Sequence, residues 1–197
     1  MTTNVKDRSQ QTGMARVARL SIALTFFSFI LIGANDGGLG VLIPGMRVHY
    51  HIDNVTISFI FLASTAGYIF SSLICGILVE KLGMRRFLIL GVTDYIICAL
   101  CYSLQPAFPL LLIAALFLGA GVGSIDAGMN SYLASLPNNT RLLNYLHAFY
   151  GAGAWLGPFV GTALLAVQFS WNNVYLVWGG LALIVVIGLL TIFRVQE

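Results

Sequence analysis

Charge is what this sequence is short of. Only 9% of its 197 residues are Asp, Glu, Lys or Arg, against about 25% in soluble domains, so water is not its main solvent. Long polar joints are missing as well, which leaves no room for a soluble domain between its apolar runs. Cysteine is scarce: Cys75, Cys98 and Cys101 are the only three, and all fall within apolar runs. Cys98-Ala-Leu-Cys101 has the spacing of a redox or zinc motif, but in an apolar helix the pair reads as small packing residues. His49 and His51 flank Tyr50 with no third ligand nearby, so they read as surface histidines and no metal site is expected. No nucleophile, base and orienting group come together, which argues against an enzyme and implies no cofactor.

Apolar length is what the sequence has in excess. It is 58% hydrophobic, and runs of about 18 or more residues, enough to cross ~30 Å of hydrocarbon, recur throughout. Six spans are predicted, near Leu20–Met46, Ile57–Val79, Phe87–Leu104, Leu110–Leu136, Leu142–Val167 and Val174–Phe193. The joints carry Pro44-Gly45, Pro106 and Pro109, and Pro137-Asn138-Asn139, the expected helix-breaking punctuation. Residues 1–18 are polar and of mixed charge and are expected to form a flexible tail. The run after them is too long for a signal-peptide core. The fold class is therefore an all-α polytopic membrane protein, with residues 19–197 as a six-span bundle.

Basic residues are held back on the cytoplasmic side during insertion. With the N-terminus inside, nine lie inside (Lys6, Arg8, Arg16, Arg19, Lys81, Arg85, Arg86, Arg141, Arg194) and Arg47 alone lies outside. Both termini are thus expected to be cytoplasmic, in a plasma membrane rather than an organelle membrane. Basic groups beside an anionic leaflet account for the net charge of +3 without nucleic acid as a partner. Asn54-Val55-Thr56 has the pattern of an outer-face glycosylation site but lies too near span two to be used.

The seven acids sort by depth. Asp7, Asp53, Glu80 and Glu197 lie outside the hydrocarbon or at its edge, whereas Asp36, Asp94 and Asp126 lie inside it. A lipid-facing Asp at the bilayer centre costs roughly 2.5–3.5 kcal/mol, so Asp36 and Asp126, both near the midplane, are expected to face a polar cavity or a partner. A carboxyl held there can take and release a proton. Asn130 stands at i+4 from Asp126, on the same face, with Ser124 close by. Asn35-Asp36 precedes Gly37, Gly38 and Gly40, where the helix is expected to loosen and expose backbone carbonyls beside a cavity. Asp94 is shallower and has no polar partner in its neighbourhood of sequence. The competing reading of all three is a helix-to-helix hydrogen bond.

Span five carries a stripe, Asn144, His147, Gly151, Trp155 and Pro158, at steps of three and four, with Tyr150 flanking. Such a face can grip a sugar or a flat ligand, the alternative again being an inter-helix hydrogen bond. Gly119 and Gly123, and Gly153, Gly157 and Gly161, form ladders of small residues that let helices approach closely. A dinucleotide-binding loop would need a preceding strand and a soluble fold.

The joint between spans two and three reads Gly76-Ile77-Leu78-Val79-Glu80-Lys81-Leu82-Gly83-Met84-Arg85-Arg86. It resembles the G-x-L-a-D-r-x-G-r-r signature of the major facilitator superfamily, with Glu80 in place of the usual aspartate. Gly76 is expected to let two helices pack, Gly83 to make the tight turn, and the charges to form a cytoplasmic latch. Gly121, Gly123, Asp126 and Asn130 resemble span four of fucose-permease-like sugar transporters, and Asn144 to Gly153 resemble their fifth span. That resemblance implies a proton-coupled carrier in which Asp126, and Asp36 with it, bind a sugar or couple protons. Asp36 stands one turn from the position of the permeases' span-one acid, which would fall at Gly40. His147 and Tyr150 stand where amide side chains are expected, so the substrate is open to differ.

Gly153-x-x-x-Gly157-Pro158-x-x-Gly161 is similar to a span-five motif of drug/proton antiporters, although Thr162 stands where a glycine is expected. Export is thus the alternative to uptake. Superfamily members carry two six-span halves around a midplane site, so six spans amount to an N-terminal half. It is expected to pair with a C-terminal half or a second copy, or else to serve as a non-transporting interaction subunit. The expected partners are a small-molecule solute, protons and the lipid bilayer.

Overall fold

In a computed structural model, which describes the backbone of residues 3–193 and the side chains of residues 18–193, six helices follow one another with no strand among the described residues. They are α1 (Thr3–Tyr50), α2 (Asn54–Leu82), α3 (Met84–Ser103), α4 (Phe108–Ala134), α5 (Asn139–Ala166) and α6 (Trp171–Thr191). All six are long and apolar enough to cross a membrane, α1 over Ala18–Tyr50. Each contains one of the predicted spans to within a few residues at either end.

The backbone is helical from Thr3, through the stretch that the sequence reads as a flexible tail. No proline precedes Pro44, so nothing in the chain interrupts the ladder of helix hydrogen bonds. The side chains of Lys6, Asp7, Arg8 and Arg16, together with Arg194 and Glu197, lie outside the described residues.

The joints are made by single residues in special conformations. Asp53 caps α2, its carboxylate accepting a 2.7 Å hydrogen bond from the Thr56 N–H. Those backbone and side-chain hydrogen bonds hold Asp53 below the usual carboxylate range. Gly83 alone separates α2 from α3, at φ +81, a conformation that an L side chain adopts only under strain. Asn138 takes the left-handed conformation, φ 58, in front of α5.

Lipid tails are as apolar as leucine, so helices in a membrane associate through close packing rather than through a hydrophobic driving force. The main seams are α1 on α5, α2 on α4, α3 on α4 and α3 on α6. Glycines make the first two possible. A Cβ at Gly153 or Gly157 would run into the carbonyls of Ile30 or Ala34 on α1, and one at Gly67 or Gly119 into those of Leu116 or Ser64 across the α2–α4 seam.

The same geometry corrects the reading of the Gly37 region. The helix does not loosen after Asp36, because α1 is continuous to Tyr50. Gly33 and Gly37 are instead the reciprocal half of the seam, their missing side chains giving room to the carbonyls of Tyr150 and Ala154 on α5. Gly76 corrects in the other direction. Nothing lies within 4 Å of where its Cβ would be, so among the described residues it packs no helix, whereas Gly83 does make the predicted turn.

Candidate functional site

Packing α5 on α1 and α2 on α4 leaves a cavity of about 510 Å³ between the four helices. Asp36 of α1 and Asp126 of α4 both line it, as do His147 and Tyr150 of α5 and Tyr68 of α2. Phe29, Phe61 and Val122 give the wall apolar area beside these polar groups, and Ser64 and Thr65 add hydroxyls. Asp36 and Asp126 therefore share one chamber, from helices that are distant in sequence.

Each carboxylate is held in the same way, by one amide and one phenol. Asn35 Nδ2 donates to Asp36 Oδ1 at 3.1 Å, and Tyr150 Oη donates to Asp36 Oδ2 at 3.0 Å. Asn130 Nδ2 donates to Asp126 Oδ1 at 3.0 Å, and Tyr68 Oη donates to Asp126 Oδ2 at 2.5 Å. Ionised carboxylates are acceptors only, so all four contacts run in the favourable sense. A bound hydroxyl can compete with either phenol for its oxygen, because both tyrosines stand at the cavity surface.

Asp36, Asp126, His147 and Tyr150 thus come together, with Asn35 and Asn130 bonded directly behind the two acids. Asn144 and Trp155 do not join them. Trp155 is 65% exposed with its ring 4.8 Å from that of Phe159, and Asn144 is exposed outside the cavity wall. The reason is angular. At 3.6 residues per turn, Trp155 and Tyr150 stand about 140° apart around α5, too far for one shallow wall to use both. Ser124 is buried and turned toward Gly91 of α3 rather than into the cavity. Asp94, which has no polar partner on the sequence reading, accepts from Cys98 Sγ at 3.8 Å, away from the cavity.

Tyr68 is the residue that sequence reasoning missed. A signal for it existed: Ser64, Thr65, Tyr68, Ser71 and Ser72 give an otherwise apolar helix one polar side at helical spacing, the pattern of a face turned to a cavity.

The charged joint between α2 and α3 is built differently from a latch of opposite charges. Glu80, Lys81, Arg85 and Arg86 are exposed, and none of them makes an ion pair among the described residues. Arg85 instead reaches the end of α6, its Nε donating to the Leu189 carbonyl at 2.8 Å and an Nη to that of Leu190. These are carbonyls a helix end leaves unsatisfied, at the negative pole of its dipole.

The chain matches the model of the Major Facilitator Superfamily over residues 25–197, and it belongs to that family. Similar proteins include Bypass of stop codon protein 6 of Saccharomyces cerevisiae, 29% identical over 144 residues, which are 72% of this chain and 29% of the yeast protein. The 3-(3-hydroxy-phenyl)propionate transporter of Escherichia coli is 28% identical over 85% of this chain and 42% of its own. Among solved structures, the E. coli fucose:proton symporter superposes with a TM-score of 0.70 at 18% identity, covering 89% of this chain and 49% of the symporter. The chain thus spans less than half the length of these relatives.

Proposed function

We propose that this chain supplies one wall of a proton-coupled secondary transporter for a sugar or similar small hydroxylated solute. The observation that carries the reading is the pair of carboxylates, each held by an amide and a phenol, in one cavity between α1, α2, α4 and α5. Such a wall offers a polyhydroxylated solute acceptors and hydroxyls, plus aromatic faces at Phe29, Phe61 and Tyr68. Among the described residues its lining carries no Lys or Arg with which to hold an anion. An acid that releases its phenol on protonation couples solute and proton at a single atom.

The opposite wall belongs to a further six-span unit, in the same chain or in a partner copy. Asp36 and His147 are exposed in the six helices alone, and leaving an aspartate to lipid at the bilayer centre costs roughly 2.5–3.5 kcal/mol. On this reading both termini and the α2–α3 joint face the cytoplasm, the side that the excess of basic residues favours, and the membrane is the plasma membrane.

The test is uptake by the complete transporter in proteoliposomes under an imposed pH gradient, with a panel of labelled hexoses and pentoses. Accumulation driven by an inwardly directed proton gradient is expected, and Asp126→Asn abolishes it while membrane insertion stays intact. Undiminished uphill accumulation by Asp126→Asn overturns the assignment of Asp126.

A further inference from the structure

Behind Asp36 the network goes one step deeper than the cavity. Tyr95, on α3 and fully buried, donates from Oη to Asn35 Oδ1 at 3.1 Å. Asn35 is itself only 7% exposed, and its Nδ2 donates to Asp36 Oδ1. The order is Tyr95, Asn35, Asp36, with Tyr150 closing on the other carboxylate oxygen.

An amide has two unlike ends, and only its nitrogen end can serve a carboxylate. Asn130 settles its own orientation, because Nδ2 donates both to Asp126 Oδ1 and to the Asp126 backbone carbonyl. Among the described residues, Asn35 has no such local anchor. Its oxygen end is held by Tyr95, from another helix. Turning the amide round would place Oδ1 against the Asp36 carboxylate and strip the buried Tyr95 hydroxyl of its acceptor. An unsatisfied buried donor carries its full desolvation penalty.

We propose that Tyr95 is a positioning residue: by fixing which end of the Asn35 amide meets Asp36, it sets how readily Asp36 exchanges a proton, without touching solute. The inference rests on the transport reading for its consequence but not for its test. The ionisable and phenolic groups around Asp36 are Tyr68 on α2, Tyr95 on α3, Asp126 on α4, His147 and Tyr150 on α5 and Tyr175 on α6. Of these, Tyr95 is the one that reaches Asp36 through an intervening side chain.

The relay also has a second setting. When Asp36 is protonated, its O–H can donate to Asn35 Oδ1 only if the amide turns and Asn35 Nδ2 donates to Tyr95 Oη, which can accept. The O–H bond that forms on Asp36 replaces one that breaks in a solvent hydronium ion, which is left as water, and otherwise only hydrogen bonds exchange. Protonation at the cavity is thereby reported to α3, which packs on α4 and α6.

The test is infrared titration of the complete transporter in nanodiscs, with the protonated Asp36 carbonyl band identified by its loss in Asp36→Asn. In Tyr95→Phe the midpoint of that band is expected to move by about 0.5 pH unit or more, while the Asp126 band stays in place. Superimposable Asp36 titrations in the two proteins overturn the proposal, and so does an equal movement of both bands. Should Tyr95→Phe fail to fold, the wild type decides alone. The Asn35 side-chain amide resonance, assigned by its loss in Asn35→Ser, must follow the Asp36 midpoint, and a resonance that ignores it overturns the proposal. Neither readout needs transport, so a failure of proton-driven uptake remains distinguishable from a failure of the relay.

Discussion

The hydroxyl of Tyr68 on α2 donates to the carboxylate of Asp126 on α4 at 2.5 Å, the shortest of the four contacts that hold Asp36 and Asp126. It ties the acid to a helix that approaches α4 closely because Gly67, the residue before Tyr68, and Gly119 and Gly123 on α4 have no side chain. Packing and chemistry share the same turn of α2, and they separate experimentally.

Tyr68→Phe keeps the ring and removes the donor. A hydrogen bond to a charged group contributes about 1.5–3 kcal/mol, so proton-coupled uptake should fall roughly 10–100-fold by the usual conversion. Thermal stability in detergent should change little. Uptake within twofold of the parent would show that Asp126 works without Tyr68.

The glycines divide into two groups. Gly67→Val, Gly119→Val and Gly157→Val each drive a side chain into a backbone carbonyl of the facing helix, and backbone cannot move aside as a flexible side chain can. Overpacking of this kind costs about 1–3 kcal/mol or more. A loss of monodisperse protein on size-exclusion chromatography is expected. Gly76→Ala and Gly151→Ala meet nothing within 4 Å and should behave as the parent. Equal damage from both groups would refute the seam.

How much of this was legible beforehand follows from which signals are local. Length and hydropathy are local, so all six helices could be read. Asn130 could be placed beside Asp126 because an i+4 pair on a helix meets without help from the rest of the fold. Glycine function was not local: the sequence reads Gly37 as a point of loosening and Gly76 as a packing site, and the structure reverses the two, because a Cβ at Gly37 would meet the Ala154 carbonyl on α5 while one at Gly76 would meet nothing within 4 Å. Tyr68 escaped for the same reason. A tyrosine among serines on α2 gains its role from Asp126, 58 residues further on. The α2–α3 joint matched its motif in pattern, yet the partner of Arg85 is a carbonyl pair at the end of α6, which no charge-pairing argument would nominate.

Arg85 yields the next prediction. Its guanidinium bridges two successive carbonyls, so Arg85→Lys, which offers a point charge rather than a planar fork, should not restore what Arg85→Ala loses. A charge at a helix C-terminus contributes about 0.3–1 kcal/mol, and the loss should appear as a small drop in melting temperature. Arg86→Ala should be silent within about 0.5 kcal/mol. A larger effect at Arg86 than at Arg85 would mean the joint is held in another way.

Asp53 gives a pH dependence outside the membrane. Its carboxylate is held below the usual range by the Thr56 hydrogen bonds. A folded value below the unfolded one, which is about 3.9, means that the cap stabilises α2 above that pH. The contribution is lost as pH falls through the depressed folded value. Asp53→Ala should therefore lower the melting temperature slightly at pH 7, and its deficit should shrink at the acid end, as pH falls below the unfolded value of about 3.9. Asp53→Asn, which still caps, should retain most of the stability at both. A deficit in Asp53→Ala that persists at the acid end would assign the effect to something other than the carboxylate.

The last prediction separates two aromatic residues that sequence spacing places on one face of α5. His147 lines the cavity, its ring edge-on to Phe29 at 6.2 Å, whereas Trp155 lies about 80° further round the helix and packs on Phe159. A solute seated between Asp36 and Asp126 therefore meets His147 and not Trp155. Losing one polar contact to a bound solute costs about 0.5–1.5 kcal/mol, so His147→Ala should weaken hexose binding roughly 2–10-fold. Trp155→Ala should leave it unchanged while shifting the intrinsic fluorescence for want of an exposed indole. Calorimetric titration of both variants, with the parent alongside, measures each effect without relying on transport. Should Trp155→Ala lose affinity and His147→Ala keep it, the solute sits on the outer face of α5, and the chamber between the two carboxylates is not where it binds.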